Sequence, residues 1–254
     1  MADSESMTFW DHLEDLRKGI FRVLTVMVVA SLVLFFLKDF LFDGIIFAPA
    51  KSDFYLYQLL GADFSLTFIN IEVAAQFIIH MKMTLVCALI LCFPYIIYEL
   101  WRFVAPALYA NEKRSVRKAL IFSSVLFYMG VLISYLVIFP LMLNFFVGYQ
   151  VSDAVPNTFS LGSYVSLFMS MTLIFGIVFE FPTLIAILSA LGIVNRDGLK
   201  SLRRYAICIV LVLAAVITPS GDPFSLLVVS VPLYLLYEFS ILICRKGEVK
   251  ALEE

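Results

Sequence analysis

Long runs of uncharged apolar residues are the feature that most limits how this chain can fold. A helix that is apolar on every side has to lie in a large core or in a bilayer. The chain of 254 residues is 62% hydrophobic, against about 45–50% in soluble domains, and its mean hydropathy is +0.99. The excess is gathered into six runs, which predict six transmembrane helices. They cover residues 19–37, 77–98, 119–139, 164–191, 205–217 and 224–244.

Prolines and one short run modify this prediction. Pro140 is expected to close the third helix, and Glu180-Phe181-Pro182 to break the fourth. The fifth run, 205–217, would span about 20 Å as a helix, against about 30 Å of hydrocarbon. It is joined to the sixth by the tight turn 218–223. Either this hairpin thins the bilayer locally, or its helices extend beyond the apolar runs.

Basic residues give the expected orientation. Fifteen of the eighteen Lys and Arg residues fall in segments on one side of the predicted membrane domain, which predicts that both termini are cytoplasmic. We expect a single membrane domain over 1–254. Its connecting parts are a cytoplasmic amphipathic segment (1–18), a periplasmic cap with short surface helices (38–76), a first cytoplasmic loop (99–118), a second cytoplasmic loop (192–204) and a cytoplasmic tail (245–254).

The sequence offers little to an enzyme or to a nucleic-acid-binding protein. The net charge is −2, so bulk attraction to a phosphate backbone is not indicated. Two histidines and four dispersed cysteines have no metal-type spacing, and no nucleophile or phosphate-loop motif is present. We therefore expect no enzymatic activity, no cofactor and no metal. No internal repeat is evident.

The N-terminal segment has the pattern of an interfacial helix. One side carries apolar residues at helical spacing, and Thr8 is a candidate cap with Asp11 three positions later. Another side carries charges at three- and four-residue steps, which suit either solvated ion pairs or a binding role. The apolar side is Phe9, Leu13, Leu16 and Ile20, and the charged side is Asp11, Asp15, Lys18 and Arg22.

Two further carboxylates are each open to two interpretations. Glu112 follows the candidate cap Asn111, so it either complements the helix dipole or receives a cationic ligand at the membrane surface. Glu180 lies deep in the fourth run, where a charge is costly. It is either a protonated acid, hydrogen-bonded to Thr172, Ser170 or a freed carbonyl, or a polar docking point for a substrate or helix.

Four motifs in order along this pattern are similar to those of one family. The chain resembles TatC, the multi-span receptor subunit of the twin-arginine (Sec-independent) protein translocase. The motifs are His12-Leu13-Glu14-Asp15-Leu16-Arg17, then Trp101 to Tyr109 followed by Glu112-Lys113-Arg114, then Phe175-Gly176-Ile177-Val178-Phe179-Glu180-Phe181-Pro182, and finally Thr218-Pro219 with Asp222, Phe224 and Ser225.

The resemblance implies an all-α polytopic fold, with six transmembrane helices in a curved wall under an outer cap and a short fifth and sixth helix. It places the chain in the bacterial inner (plasma) membrane. The implied function is binding of twin-arginine signal peptides on folded cargo proteins. Translocation would then proceed with small single-span subunits of the TatA/TatB type, with self-association in the complex, driven by the proton-motive force.

The resemblance also implies roles for individual residues. Asp15 and Glu112 match the carboxylates that receive the paired arginines, although the family usually has glutamate where Asp15 stands, and aspartate is one methylene shorter. Phe103 and Arg17 match residues beside them, and Glu180 matches a membrane-embedded polar site. Other family-matched positions are Pro49, Tyr135, Pro182 and Asp222.

A proton-coupled small-solute transporter that uses Glu180 as its carrier is the alternative from another class. It predicts solute uptake by this chain alone and indifference to paired arginines. The lack of an evident repeat and the single deep carboxylate count against it.

Overall fold

Ten α-helices make up most of the part of the chain that the structure describes. That part, in a computed structural model, is residues 9–61, 66–105, 110–152, 154, 157–218 and 221–244, without the side chains of 9, 11 and 110–115. The fold is mostly helical (83%). The helices are α1 (Phe9–Phe36), α2 (Tyr55–Leu60), α3 (Ala75–Val104), α4 (Ala110–Ile133), α5 (Phe139–Gly148), α6 (Leu161–Val178), α7 (Phe181–Ala190), α8 (Arg196–Ser201), α9 (Arg203–Ile217) and α10 (Pro223–Ile243).

Among the described residues, five helical stretches are long and apolar enough to cross a membrane. Helix α9 coincides with the predicted fifth run but, with 15 residues, is shorter than these five. The observed bounds of α9 and α10 differ from the predicted runs by two residues or fewer. The five stretches are His12–Phe36, Ala75–Val104, Val116–Gly148, Leu161–Ala190 and Pro223–Ile243.

The N-terminal segment and the first loop differ from the expectation. Helix α1 runs without a break from Phe9 into the first span, so the described part of the segment 1–18 is not a separate helix. No proline interrupts it, and one internal glycine costs only about 1 kcal/mol. Helix α3 continues through 99–104, residues that we expected in the loop. It ends at Val104, and Ala105, which directly precedes Pro106 in the sequence, still has helical backbone angles (φ −55°, ψ −37°). Thr8 lies outside the described residues.

Pro140 does not close the third span. Helix α4 passes through a π-helical turn, Ser134–Ile138, into α5, and Pro140 lies in the first turn of α5. A proline nitrogen cannot donate to the carbonyl four residues earlier. Here the Leu136 carbonyl instead accepts a hydrogen bond from the Tyr55 hydroxyl at 2.7 Å. The predicted break in the fourth span is confirmed: α6 ends at Val178 and α7 begins at Phe181.

The segment between α1 and α3 forms a packed cap. It contains a π-helical turn (Phe40–Ile46), a 3-10 turn (Ala48–Ala50), α2, and strand β1 (Phe68–Ile69), which pairs in parallel with β2 (Phe159–Ser160). The strand pair was not predicted. Two tyrosines of the helical wall fasten the cap: Tyr135 donates to the Ile45 carbonyl at 2.9 Å, and Tyr164 to the Ile46 carbonyl at 2.6 Å.

One cluster of buried apolar residues lies among α5, α6, α9 and α10, and a second joins the cap to α3, α5 and α6, while α1 is peripheral. The 18-residue apolar window of α1 has no buried residue, and α1 packs mainly against α3. Helices α4 and α6 approach closely at two glycines. A Cβ at Gly130 would lie 2.6 Å from the Phe175 carbonyl oxygen, and one at Gly176 would lie 2.7 Å from the Phe127 ring.

Gly130→Ala should therefore lower the stability of the fold. The added methyl group meets backbone that cannot rotate away, and overpacking of this kind costs about 1–3 kcal/mol. Thermal unfolding of the detergent-solubilised protein measures the loss. Gly162→Ala is the control, because its Cβ would meet nothing within 4 Å. Equal melting temperatures for the two variants would contradict the close contact.

Tyr164→Phe should loosen the cap without emptying the core. The ring keeps its place against Phe47, Phe68 and Phe139, but the Ile46 carbonyl loses its donor, at a cost of about 1–3 kcal/mol. Hydrogen exchange of the amides at 45–50 should accelerate. Tyr149→Phe is the control, since that side chain is 63% exposed.

Candidate functional site

A groove of about 660 Å³ separates α1 from the C-terminal end of α3. Residues spaced three and four apart lie on one face of a helix. The α3 wall follows this spacing, while the α1 wall also includes the adjacent residues 18–20 and 22–24. The wall from α1 consists of His12, Asp15, Leu16, Lys18, Gly19, Ile20, Arg22, Val23 and Leu24, and the wall from α3 of Ile96, Glu99, Leu100, Arg102 and Phe103.

A forked ion pair joins the two walls. Arg22 Nε donates to Glu99 Oε1 at 3.0 Å, and Arg22 Nη2 donates to Glu99 Oε2 at 2.7 Å. The Tyr95 hydroxyl, one turn earlier on α3, donates to the same Oε1 at 3.1 Å. We call Arg22, Tyr95 and Glu99 the groove clasp. The Glu99 side chain is 7% exposed and that of Arg22 is 39% exposed, so the carboxylate is buried and its partner reaches the groove.

Two rings lie together beside the clasp. His12 on α1 and Phe103 on α3 stack with ring centroids 4.3 Å apart and planes inclined by 20°. Such a pair offers flat faces and edges against which a planar cation can pack. The stack also holds the first turns of α1 against the end of α3.

The groove brings together two of the residues predicted from the sequence, Asp15 and Phe103. Asp15 is exposed and forms no ion pair with another described residue. Arg17 lies two residues further, about 200° around α1, and its ion-pair partner is Glu14 at 3.8 Å. Glu112 belongs to the first turn of α4, and its side chain lies outside the described part of the chain.

The described charges of the groove are mixed. Three basic residues, Lys18, Arg22 and Arg102, line it with two acidic ones, Asp15 and Glu99. Since Glu99 is bound by Arg22, Asp15 is the described carboxylate of the groove that remains open to a ligand. A cation that binds here must therefore overcome repulsion through directed hydrogen bonds.

Glu180 is held at a different place, in the break between α6 and α7. Ser123 on α4 donates to Glu180 Oε2 at 2.6 Å, and Ser123 itself is 1% exposed. The hydrogen-bond partners that we expected, Thr172, Ser170 or a freed carbonyl, are replaced by this serine from a neighbouring helix. Sequence reasoning could not supply it, because the two residues are 57 positions apart.

The other family-matched positions hold backbone in place. The Pro49 carbonyl accepts from the Tyr57 hydroxyl at 2.7 Å inside the cap. The Tyr135 hydroxyl donates to the Ile45 carbonyl of the cap. Pro182 lies in the first turn of α7, where a backbone N–H would have no partner within the helix and its absence is harmless. Asp222 Oδ1 accepts from the Ser225 amide at 2.8 Å and so caps α10.

A second clasp, built from the same three residue types but without the fork, joins α9 to α10. Arg203 Nη2 donates to Glu238 Oε2 at 2.6 Å, and the Tyr234 hydroxyl donates to Glu238 Oε1 at 3.1 Å. We call these three residues the distal clasp. The signal in the sequence is the pattern Tyr-x-x-Tyr-Glu, which occurs at 95–99 and at 234–238. Five residues are too few to be recognised as a repeat, and sequence analysis missed both clasps.

Comparisons with known proteins agree with one another. The family model described as Sec-independent protein translocase protein (TatC) matches residues 11–232. A TatC of Blattabacterium sp. subsp. Periplaneta americana is 37% identical over 95% of this chain and 96% of its own. TatC of Escherichia coli K12 is 31% identical over 96% of this chain and 91% of its own.

A solved structure agrees as well. The crystal structure of the twin arginine translocase receptor TatC superposes with a TM-score of 0.74 at 30% identity, and the match covers 91% of this chain and 97% of that one. Matches of this extent in both sequence and fold point to a single family. The chain belongs to the TatC family of Sec-independent protein translocase proteins: it is a multi-pass membrane protein and a non-enzymatic component of the Tat translocase.

Proposed function

We propose that this chain is the signal-receptor subunit of its translocase. It binds twin-arginine signal peptides of folded cargo proteins in the groove between α1 and α3. With small single-span TatA/TatB-type subunits, and in self-associated copies, it translocates the cargo across the bacterial inner membrane, driven by the proton-motive force. The observation that carries the proposal is the groove, in which the exposed Asp15 and the ring of Phe103 line one cavity.

The chemistry of the groove suits arginine. Asp15 accepts one guanidinium and Glu112 the other, each through charge-assisted hydrogen bonds of about 1.5–3 kcal/mol. Guanidinium forms two parallel hydrogen bonds to a carboxylate, whereas ammonium acts as a point charge. Phe103 packs against a bound guanidinium plane. Asp15 is exposed, so the long arginine side chain of the ligand extends to it. This reach compensates for the methylene that aspartate lacks relative to glutamate.

The apolar part of the signal then lies along the outer face of α1. Exposed apolar residues continue from the groove toward the other end of that helix, among them Leu24, Val28 and Leu32. An apolar segment that leaves water gains about 25 cal/mol per Å² of buried area. Glu180, held by Ser123, serves as the polar docking point inside the membrane for the signal or a partner subunit.

The membrane topology belongs to the same proposal. Helix α9 is the fifth of six spans, both termini are cytoplasmic, and the segment between α1 and α3 is a periplasmic cap. The fifteen-to-three division of basic residues supports this orientation. At 15 residues, α9 covers about 22 Å, so the bilayer beside it must thin.

Asp15→Asn and Glu112→Gln should each weaken binding of a synthetic paired-arginine signal by about tenfold or more, because each removes a charged acceptor. The measurement is fluorescence anisotropy with the full chain in lipid nanodiscs. Glu14→Gln is the matched control, since Glu14 instead binds Lys18 at 3.1 Å. Binding that stays unchanged in both variants would refute the receptor site.

The orientation predicts which positions a membrane-impermeant thiol reagent reaches in intact cells. In a background without the native cysteines, Val73→Cys, with Val73 fully exposed, and Ser220→Cys should react from the periplasm. Asp197→Cys, 75% exposed, should react only after the membrane is opened. Protection of Ser220→Cys in intact cells would show that α9 and α10 do not both cross.

Family membership gives no support to the proton-coupled solute transporter. The one deep carboxylate that this alternative would use is bonded to Ser123, an arrangement that a structural or docking role accounts for equally well.

A further inference from the structure

We propose that Glu99 is a further arginine-binding carboxylate of the groove, and that Arg22 is an internal guanidinium that occupies it until an arginine of the signal takes its place. This inference rests on the proposed function and adds to it an element that selects arginine over lysine. Its basis is the forked contact between Arg22 and Glu99, which both line the groove, together with the hydrogen bond from Tyr95 to Glu99.

The groove clasp already has the geometry of the complex that a signal would form. Two nitrogens of one guanidinium face two oxygens of one carboxylate at 3.0 and 2.7 Å. This fork is the arrangement in which arginine differs most from lysine. Arg22 thus binds Glu99 in the same geometry that an arginine of the signal would adopt.

The clasp is asymmetric in burial, and this asymmetry assigns the roles. Glu99 is 7% exposed, while Arg22 is 39% exposed. Tyr95, on the same helix as Glu99, gives the carboxylate a hydrogen bond that does not involve Arg22. The carboxylate is therefore the fixed partner, and the guanidinium is the one that is free to swing into the groove.

Exchange conserves hydrogen bonds when the ligand is arginine. One fork breaks and one forms, and the bond from Tyr95 remains, so the exchange is close to balanced. A lysine ammonium cannot reproduce the fork, so the buried carboxylate loses one of its two charge-assisted hydrogen bonds, which is costly. The exposed Asp15 meets the signal first, and Glu99 then tests whether the entering cation is a guanidinium.

The distal clasp provides a matched comparison. Arg203, Tyr234 and Glu238 are the same three residue types, joined by a single guanidinium bond and a tyrosine bond rather than by a fork, and none of the three lines the groove. A variant of this clasp makes the same chemical change at an equivalent helix pair. It therefore separates an effect on ligand binding from a general effect of breaking an ion pair.

The experiment measures binding of two fluorescent peptides, a paired-arginine signal and its paired-lysine counterpart, to the full chain in nanodiscs. Arg22→Gln should tighten binding of the arginine peptide at least threefold, because it removes the internal competitor. Glu99→Gln should weaken that binding at least tenfold and reduce the preference over the lysine peptide. Arg203→Gln and Glu238→Gln should change neither affinity by more than twofold.

The inference is overturned if Arg22→Gln and Glu99→Gln weaken binding of the arginine peptide to the same extent and leave the preference for arginine over lysine unchanged. In that case the clasp only holds α1 against α3. The proposed function fails by a different result, namely equal binding of the two peptides by the unmodified chain. If Arg22→Gln does not fold, Arg22→Lys applies the same test, since lysine competes without a fork and should also tighten binding of the arginine peptide.

Discussion

Hydrocarbon offers no hydrogen bonds, so a chain in a bilayer has to satisfy its polar groups from within. An unbroken helix pairs its own backbone groups. Where the helix is interrupted, a side chain has to supply the missing hydrogen bond. The Leu136 carbonyl before Pro140 is met by Tyr55, and the cap carbonyls of Ile45 and Ile46 are met by Tyr135 and Tyr164. Tyrosine suits these positions because its ring packs in apolar surroundings while its hydroxyl bonds backbone. The cap and the helical wall are thus joined where regular helix stops.

The same constraint acts more strongly on charges. A buried ion pair often repays little more than the cost of removing its members from water, so such pairs are poor devices for stability alone. The two clasps and the contact between Ser123 and Glu180 nevertheless place charges in or beside spanning helices. Helix α1 has no buried residue in its apolar window and packs mainly against α3. The position of Asp15 in the groove follows from the position of α1.

Physical pattern alone located the helices where lipid leaves little choice, as with α9 and α10, because apolar length is a direct requirement of the membrane. It failed where polar residues continue a helix, at 99–104, and where a tyrosine from another segment compensates for Pro140. Glu99 was missed because its partner Arg22 is 77 positions away, and one sequence carries no sign of such a pair. Asp15 and Phe103 came from resemblance to a family; periodicity gives them no distinction from their neighbours.

The mixed charge of the groove affects which cations it can select. A purely acidic groove would attract every cationic segment, and long-range attraction does not distinguish lysine from arginine. Lys18, Arg22 and Arg102 set a repulsive background around Asp15 and Glu99, so charge alone is insufficient for binding. Only a cation that adds directed, forked hydrogen bonds overcomes that background, and guanidinium is the side-chain cation with this geometry. Under the proposed function, the basic residues around Asp15 and Glu99 therefore contribute to specificity, because they weaken the binding of any ligand that is merely positive.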